Sequence, residues 1–183
     1  MGGSMSSVVI SGDTSGAITL AAPAVSGTNT ATLPAATGTV MVSGAMPAFS
    51  VWCSTSPSIA ANTFVKVPFD TKTFDTNNCF DNATNYRFTP TFAGYYQING
   101  RVGLASSTGV VDCYCNIYKN GTRYKRGSDG GTAITTNIAD VVYLNGSTDY
   151  VELYIYQYNG PSITLDGGEA QRVYFSGSMV RGA

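Results

Sequence analysis

The chain of 183 residues contains no histidine, and this absence limits the chemistry that its other side chains can perform. A serine or cysteine nucleophile paired with a histidine base is excluded. A nucleophile activated by lysine would have to use one of four side chains, each in a polar sequence context: Lys66, Lys72, Lys119 and Lys125. We expect these lysines to be solvated rather than catalytic.

The acidic residues leave one enzymatic alternative, a glycosidase that works with two carboxyl groups. Glu152 and Glu169 are the two glutamates, and either could act together with an aspartate. Glu152 lies between tyrosines in a predicted strand, and Glu169 lies in a glycine-rich loop. No partner aspartate can be assigned from sequence. We therefore predict that the protein is not an enzyme, and glycan cleavage is retained as the less favoured alternative.

Two groups of residues are candidates for binding metal ions. The first group is the cysteines, whose C-x-C spacing at residues 113 to 115 differs from the C-x-x-C of most zinc sites. We expect all four to be free, buried thiols: Cys53, Cys79, Cys113 and Cys115. The second group could bind calcium, although its spacing is not that of an EF-hand: Asp70, Asp75, Asn77, Asn78, Asp81 and Asn82. Because a solvated loop explains the second group better than a bound ion does, we predict no metal and no cofactor.

Charge is scarce, since only 11% of the residues are charged and the formal net charge is -1. A nucleic-acid-binding protein needs a positive field, so we do not expect nucleic acid as a partner. The basic residues Arg123, Lys125 and Arg126 follow a predicted Asn-Gly hairpin turn. They could contact an acidic polysaccharide or a neighbouring protein, or they could simply flank a solvated hairpin.

The first residues show neither the basic nor the apolar region of a signal peptide, and no later segment reaches the roughly 20 apolar residues of a membrane span. We therefore expect a protein that stays in the cytoplasm after synthesis and does not insert into membranes.

The chain divides by composition near Met46 and Pro47. Residues 1–46 contain one charged residue, Asp13, and are rich in Ala, Thr, Gly and Pro. Two apolar triplets, at Ile18–Leu20 and Ala31–Leu33, predict at most two short strands. Such a segment buries too little apolar surface to order itself alone, yet it lacks the charge of a soluble linker. We expect an extended arm that orders against other chains; a flexible leader is the alternative.

Residues 47–183 alternate between apolar and polar side chains, which predicts strands and no helix. The clearest strand places four apolar side chains on one face: Tyr96, Ile98, Val102 and Leu104. The run Val111–Lys119 has the same pattern and precedes the hairpin turn at Asn120-Gly121. A last strand, Val173–Val180, ends so close to the C-terminus that we expect it to be central. The segment is predicted to be an all-β sandwich of about eight to ten strands.

The stretch "DYVELYIYQYNG" is apolar on both faces. Four tyrosines alternate with its inward aliphatic residues: Tyr150, Tyr154, Tyr156 and Tyr158. Tyrosine rings carry a large apolar area that gains stability when it is removed from water. The cover is either a loop of the same chain or another subunit, and tyrosine is favoured at subunit interfaces. We predict an interface formed by this row together with Tyr96 and Phe175.

Five motifs occur in an order that resembles the C-one-q-like head domain, whose jelly roll is shared with the tumour necrosis factor superfamily. They are "FDTNNCF", "FTPTFAGYYQINGRV", "NIYKNG", "LNGSTDYVEL" and "VYFSGSMV", and the resemblance covers residues 47–183. The family positions are occupied by Phe74, Asp75, Phe88, Gly94, Tyr96, Asn120, Gly121, Leu144, Gly146, Phe175, Ser176 and Gly177. The chain departs from the pattern after Gly146, where Ser147 follows and the acid comes only at Asp149.

The resemblance implies a homotrimer that packs through aromatic and aliphatic strand faces and binds through exposed loops. The arm "SGAITLAAPAVSGTNTATLPAATGTVM" is similar to segments of bacteriophage tail-fibre and virion appendage proteins. The resemblance thus predicts a structural protein of the virion, assembled in the host cytoplasm, whose arm (residues 1–46) attaches to other virion proteins. As a tail fibre or fibre tip, the head would bind host surface glycan and serve in host attachment. The alternative is a capsid decoration or head-fibre protein.

Overall fold

The computed structural model describes residues 7–25, 27–32, 35, 37–38, 40–106, 108–110, 112–130, 134–158, 160–170 and 172–183. The chain forms two compact units, Met1–Gly38 and Thr39–Ala183, which we call the arm unit and the head unit. Each is described by itself below.

The arm unit contains one antiparallel hairpin, made of β1 (Ser7–Ser11) and β2 (Ala17–Ala21). The Gly12 N–H donates to the Gly16 carbonyl at 3.0 Å, and Gly16 has a φ of 77°, a backbone conformation that glycine adopts without strain. Strand β2 contains the predicted triplet Ile18–Leu20, whereas β1 was not predicted. The second predicted triplet is not borne out in its first two residues, because Ala31 and Thr32 are not in a strand; Leu33 lies outside the described residues.

The head unit is a sandwich of two antiparallel sheets. The first sheet has the order β11-β10-β13-β8-β7, and a further strand, β5, also pairs with β13. Its strands are β5 (Phe64–Lys66), β7 (Phe80–Asp81), β8 (Arg87–Phe88), β10 (Asp112–Lys119), β11 (Thr122–Arg126) and β13 (Val151–Tyr158).

The second sheet has the order β12-β9-β15-β3-β6. Its strands are β3 (Ala48–Trp52), β6 (Thr71–Asp75), β9 (Ala93–Gly103), β12 (Thr135–Asn145) and β15 (Tyr174–Gly182). A small third pair joins β4 (Ser58–Ile59) to β14 (Ile163–Thr164). A single turn of 3-10 helix at Ser43–Ala45 precedes β3.

The core lies between the two sheets and is dominated by aromatic rings. Phe49 stacks on Phe88 with ring centroids 4.3 Å apart, and Phe175 lies 5.2 Å from Phe49 and 5.6 Å from Phe69. All four side chains are fully buried. Alternation explains this arrangement, because successive residues of a strand point to opposite faces and only one face of each sheet meets the other sheet.

Several predictions from the pattern are confirmed. The fold is all-β in the part of the chain that the structure describes, apart from the short 3-10 turn. The last strand, β15, is central, since it lies between β9 and β3. The inward residues predicted for β9 and β10 are buried; Val111 lies outside the described residues.

Asp149, the acid that comes later than in the family pattern, has a structural role in the loop after Gly146. Asp149 accepts a hydrogen bond from Asn120 Nδ2 at 2.7 Å and forms an ion pair with Lys119 at 3.0 Å. Asn145 closes the same loop by accepting backbone N–H groups from residues 147 to 149. Asp149 therefore ties this loop to the Asn120-Gly121 hairpin turn.

Candidate interaction surfaces

The predicted tyrosine row lies on the outward face of β13, where rings from the same chain cover part of it. Tyr154 stacks on Tyr118 of β10 with centroids 4.0 Å apart. Tyr156 contacts both Tyr114 of β10, at 5.1 Å, and Phe64 of β5, at 4.8 Å. We call Phe64, Tyr114, Tyr118, Tyr154 and Tyr156 the aromatic cluster. Tyr154 and Tyr156 are half-buried within the protomer itself.

Cations complete the aromatic cluster. The Arg126 guanidinium lies 3.6 Å from the centroid of Tyr114, and that of Arg123 lies 5.6 Å from the centroid of Phe64. Arg87 covers Tyr150 in the same way at 4.2 Å. Cation–π contacts of this kind stabilise rings that are only partly buried. Tyr158, at the end of the row, remains half exposed.

Two residues of the predicted interface lie elsewhere, and the prediction is corrected for them. Tyr96 and Phe175 are fully buried between the two sheets of one protomer. Tyr96 packs edge-on against Phe88, and its hydroxyl donates to the Phe92 carbonyl at 2.7 Å. The alternation of β9 and β15 places both side chains inward, so they cannot contact a second subunit while the protomer is folded.

The basic residues after the hairpin turn lie on β11, an edge strand that is exposed along its whole length. Arg126 forms ion pairs with Asp112 and Asp129, and Lys125 pairs with Asp140 at 3.5 Å. Neighbouring carboxylates thus offset much of the positive charge that the sequence suggested. Tyr124, between the basic residues, is also exposed.

Both glutamates are engaged by cations. Glu152 is buried beside the aromatic cluster and contacts Lys66 Nζ at 2.5 Å. Lys66 also donates to the Asn85 carbonyl at 3.2 Å. Glu169 pairs with Arg172 at 3.1 Å in an exposed loop. These contacts give each glutamate a structural role.

The four cysteines are buried, and none of them is joined to another in a disulfide. Burial raises the pKa of Cys113 to about 11, and it raises the pKa of Cys115 to about 11 as well. Thiols with such pKa values are protonated at neutral pH, and the thiolate is the form that attacks electrophiles and binds metals. Neither residue is therefore prepared for nucleophilic chemistry.

The acidic loop considered for calcium uses its oxygens internally. Asp81 accepts from the backbone N–H groups of Ala83, Thr84 and Asn85, and these bonds hold the pKa of Asp81 well below its usual range. Asp70 accepts from the Ser54 N–H at 2.8 Å and from the Ser54 hydroxyl at 2.7 Å. Among the described residues, no group of three or more acidic or cysteine side chains is arranged to hold a metal ion.

The outward face of the second sheet is the surface that the sequence did not reveal. Tyr95 on β9 and Tyr143 on β12 pair across the strands, with ring centroids 5.4 Å apart. Val141 and Val180 are exposed on the same face, and Arg181 lies at its rim, opposite Tyr95 and 6.0 Å from the centroid of that ring. The outward residues of its central part are otherwise small or uncharged: Ala48, Ser50, Gln97, Asn99, Ala139, Ser176 and Ser178. We call this surface the uncharged face. A signal existed, because β12 has apolar residues at both odd and even positions.

One end of the uncharged face carries an open cleft of about 480 Å³, whose lining combines polar side chains with Gly100, Ile138 and Ala139. Asn99, Asn137, Ser128 and Tyr174 supply its polar groups. Two amides, a hydroxyl and a phenol can donate and accept hydrogen bonds but carry no charge.

Comparison with solved structures shows which fold this is. The crystal structure of murine APRIL at pH 8.0 superposes with a TM-score of 0.55 and 12% sequence identity, covering 74% of this chain and 99% of that chain. PRD1 vertex protein P5 superposes with a TM-score of 0.53 and 16% identity, covering 73% of this chain and 96% of that chain. The head unit is a jelly roll of the tumour-necrosis-factor type, as predicted.

Sequence comparisons add nothing to this likeness. No protein-family model matches the chain, and no curated protein matches it significantly. Within the described residues, no helix is long and apolar enough to cross a membrane.

Proposed function

We propose that the protein is a non-enzymatic, homotrimeric appendage of a bacteriophage virion. The observation that carries the proposal is an uncharged, aromatic sheet face on a jelly roll whose fold is shared with PRD1 vertex protein P5, which suggests a virion appendage. The phage-like composition of residues 1–46 supports the same role.

The trimer contact is assigned to the uncharged face rather than to the row on β13. Subunit contacts favour tyrosine and exclude unpaired charge from their centre. Tyr154 and Tyr156 are half-buried against rings of their own chain. Tyr95 and Tyr143 stay 42% and 41% exposed, although Arg181 and Lys119 lie 6.0 Å and 5.7 Å from their ring centroids. Burying the uncharged face therefore removes more apolar area from water than burying the row on β13 would, and it desolvates fewer charged groups.

The head is proposed to face outward and to contact host surface glycan along β11. This exposed edge strand combines the Tyr124 ring with Arg123, Lys125 and Arg126. An aromatic ring stacks on the apolar face of a sugar, and guanidinium groups bind carboxylate or sulfate substituents. The exposed tyrosine makes a glycan a better match than a purely electrostatic partner, because Lys125 and Arg126 are already paired with carboxylates.

Capsid decoration is the second candidate role. PRD1 vertex protein P5 is by name a vertex protein, and a vertex belongs to a shell rather than to a tail. In either role, residues 1–46 are proposed to attach the head to other virion proteins. The division into units at Gly38 is compatible with an arm of about that extent.

Labelling of intact particles tests the proposal and separates the two roles. Gold-conjugated antibody against the head unit is applied to purified virions and imaged by electron microscopy. Label at the tail tip supports a fibre, and label on the shell supports decoration. Particles that carry no label, from a preparation in which the protein is also absent by mass spectrometry, would contradict a virion role.

A further inference from the structure

The hairpin of the arm unit has one face made entirely of aliphatic side chains. The register pairs Val8 with Leu20 and Ile10 with Ile18. Paired residues of an antiparallel sheet lie on the same face, and so do residues two apart in one strand. Val8, Ile10, Ile18 and Leu20 therefore form one continuous surface, and each is 56–68% exposed.

The opposite face is different. It carries Val9, Ser11, Ala17, Thr19 and Ala21, which are mostly small or polar. The hairpin is thus amphipathic, with one face suited to water and one suited to a core. An isolated two-stranded hairpin is only marginally stable in water, so the aliphatic face requires a cover.

We propose that the cover is the same face of the other two copies of the chain, so that three hairpins enclose a small aliphatic core about a common threefold axis. This inference rests on the proposed trimer. Each copy contributes the same four side chains, and the small residues of the opposite face point outward to water. The threefold arrangement leaves no aliphatic face uncovered.

Charge favours a homotypic partner. The strands of the hairpin contain no charged residue, and the one charge of residues 1–65 is Asp13, in the turn between the strands. Three identical hairpins can therefore approach through their strands without like-charge repulsion, while the three carboxylates stay at the turn in contact with water.

Connectivity favours it as well. Residues 22–38 link the hairpin to a head that is proposed to be trimeric, so the three hairpins are always near one another. Covalent attachment to the same trimer raises the effective concentration of the hairpins to as much as about the millimolar range, which favours weak aliphatic contacts. The attachment to other virion proteins then falls to parts of residues 1–46 outside this aliphatic face.

Disulfide trapping in the full chain tests the inference. Ile10→Cys and Ile18→Cys place a thiol on the aliphatic face, and Thr19→Cys is the matched control on the opposite face. The native cysteines are buried, so the wild-type chain shows the background. After mild oxidation, we expect the first two variants to give covalent dimers on a non-reducing gel, and Thr19→Cys to give no more than the wild type.

Sedimentation of the same samples distinguishes two kinds of failure. If the variants sediment as trimers but Ile10→Cys and Ile18→Cys give no more dimer than Thr19→Cys, the hairpins face another partner and the inference is wrong, while the trimer stands. If the wild-type chain sediments as a monomer, the proposed trimer fails first and the inference fails with it.

Discussion

Tyr95 and Tyr143 lie directly opposite each other on β9 and β12, with their rings 5.4 Å apart and with 42% and 41% of their side chains exposed. Two adjacent phenol rings on an uncharged face are unusual for a surface that stays in water, because large apolar patches commonly mark interaction sites. This pair is the centre of the proposed trimer contact.

Replacing this pair should dissociate the trimer. The double variant Tyr95→Ser, Tyr143→Ser removes two central rings, and losing a central aromatic residue typically weakens an interface by about 2 kcal/mol or more. The expected product is a folded monomer, with a monomer mass by light scattering and unchanged β-type circular dichroism. The matched control is Tyr154→Ser, Tyr156→Ser, which should stay trimeric but unfold at a lower temperature. If the control dissociates and the first variant does not, β13 forms the interface, as the sequence alone predicted.

The close contact between the two sheets makes Gly100 sensitive to substitution. A β-carbon at Gly100 would lie 2.8 Å from both terminal methyl carbons of Leu153 on the opposite sheet. We expect Gly100→Ala to lower the free energy of unfolding by about 1–3 kcal/mol, the usual range for overpacking. Gly44→Ala is the control, because no atom lies within 4 Å of its added β-carbon. Urea unfolding measures both, and equal stability of the two variants would show that the sheets are less closely packed.

Replacing Lys66 should lower the free energy of unfolding more than replacing Glu152. Lys66→Met leaves a buried carboxylate without its cation, whereas Glu152→Gln leaves a lysine that is about one-third exposed and can be hydrated. Leaving a buried polar group without its partner lowers the free energy of unfolding by roughly 1–3 kcal/mol. Because Lys66 is partly exposed, the loss in Lys66→Met should stay within that range. Thermal unfolding of both variants and of the double variant gives the coupling energy. A larger loss for Glu152→Gln would reverse the proposed asymmetry.

High pH should destabilise the head through its buried thiols. Burial raises the pKa of Cys113 and that of Cys115 to about 11 in the folded chain. The unfolded thiols lose their protons first, at a pKa of about 8.5, so the unfolded state is favoured as the pH rises. The contribution of the thiols to the free energy of unfolding should be constant below about pH 8 and fall between about pH 9 and pH 11. The variant Cys113→Ala, Cys115→Ala should show a shallower fall in urea titrations at these pH values, and an unchanged slope would rule out the thiols as its cause.

Glycan contact along β11 should depend on its exposed ring. Tyr124→Ala is expected to reduce binding to host polysaccharide about tenfold, the factor that corresponds to about 1.4 kcal/mol. Arg123→Ala should also reduce binding to the polysaccharide. This reduction should be smaller at high salt, because the contribution of Arg123 is electrostatic and is screened. Thr73→Ala, at an exposed position of the edge strand β6, is the control and should bind like the wild type. If wild-type head shows no retention on immobilised polysaccharide, decoration becomes the favoured role.

Local alternation was sufficient to predict much of the sandwich. In β9, β10 and β13 the inward residues could be named because one face of each strand is consistently apolar, and the position of β15 followed from its place near the end of the chain. The short strands β7, β8 and β14 carry no such signal, since two residues do not define a period. Strand β1 was missed because its valines and isoleucine form a continuous apolar run.

The surfaces were harder to predict because they depend on contacts between distant segments. Whether Tyr156 faces water or another ring is decided by Phe64, which reaches it only after β5 pairs with β13. The same holds for Arg126, whose charge is offset by Asp112 on the neighbouring strand. Tyr96 and Phe175 show the opposite case: alternation alone places both side chains inward, which contradicts the prediction that they lie at a subunit interface.

Sedimentation equilibrium of the purified wild-type chain at micromolar concentration is the most direct test of the central proposal. The account predicts a single species with three times the chain mass of 19.1 kDa, stable to dilution across the measured range. A single species of 19.1 kDa, with the uncharged face left in contact with water, would contradict it.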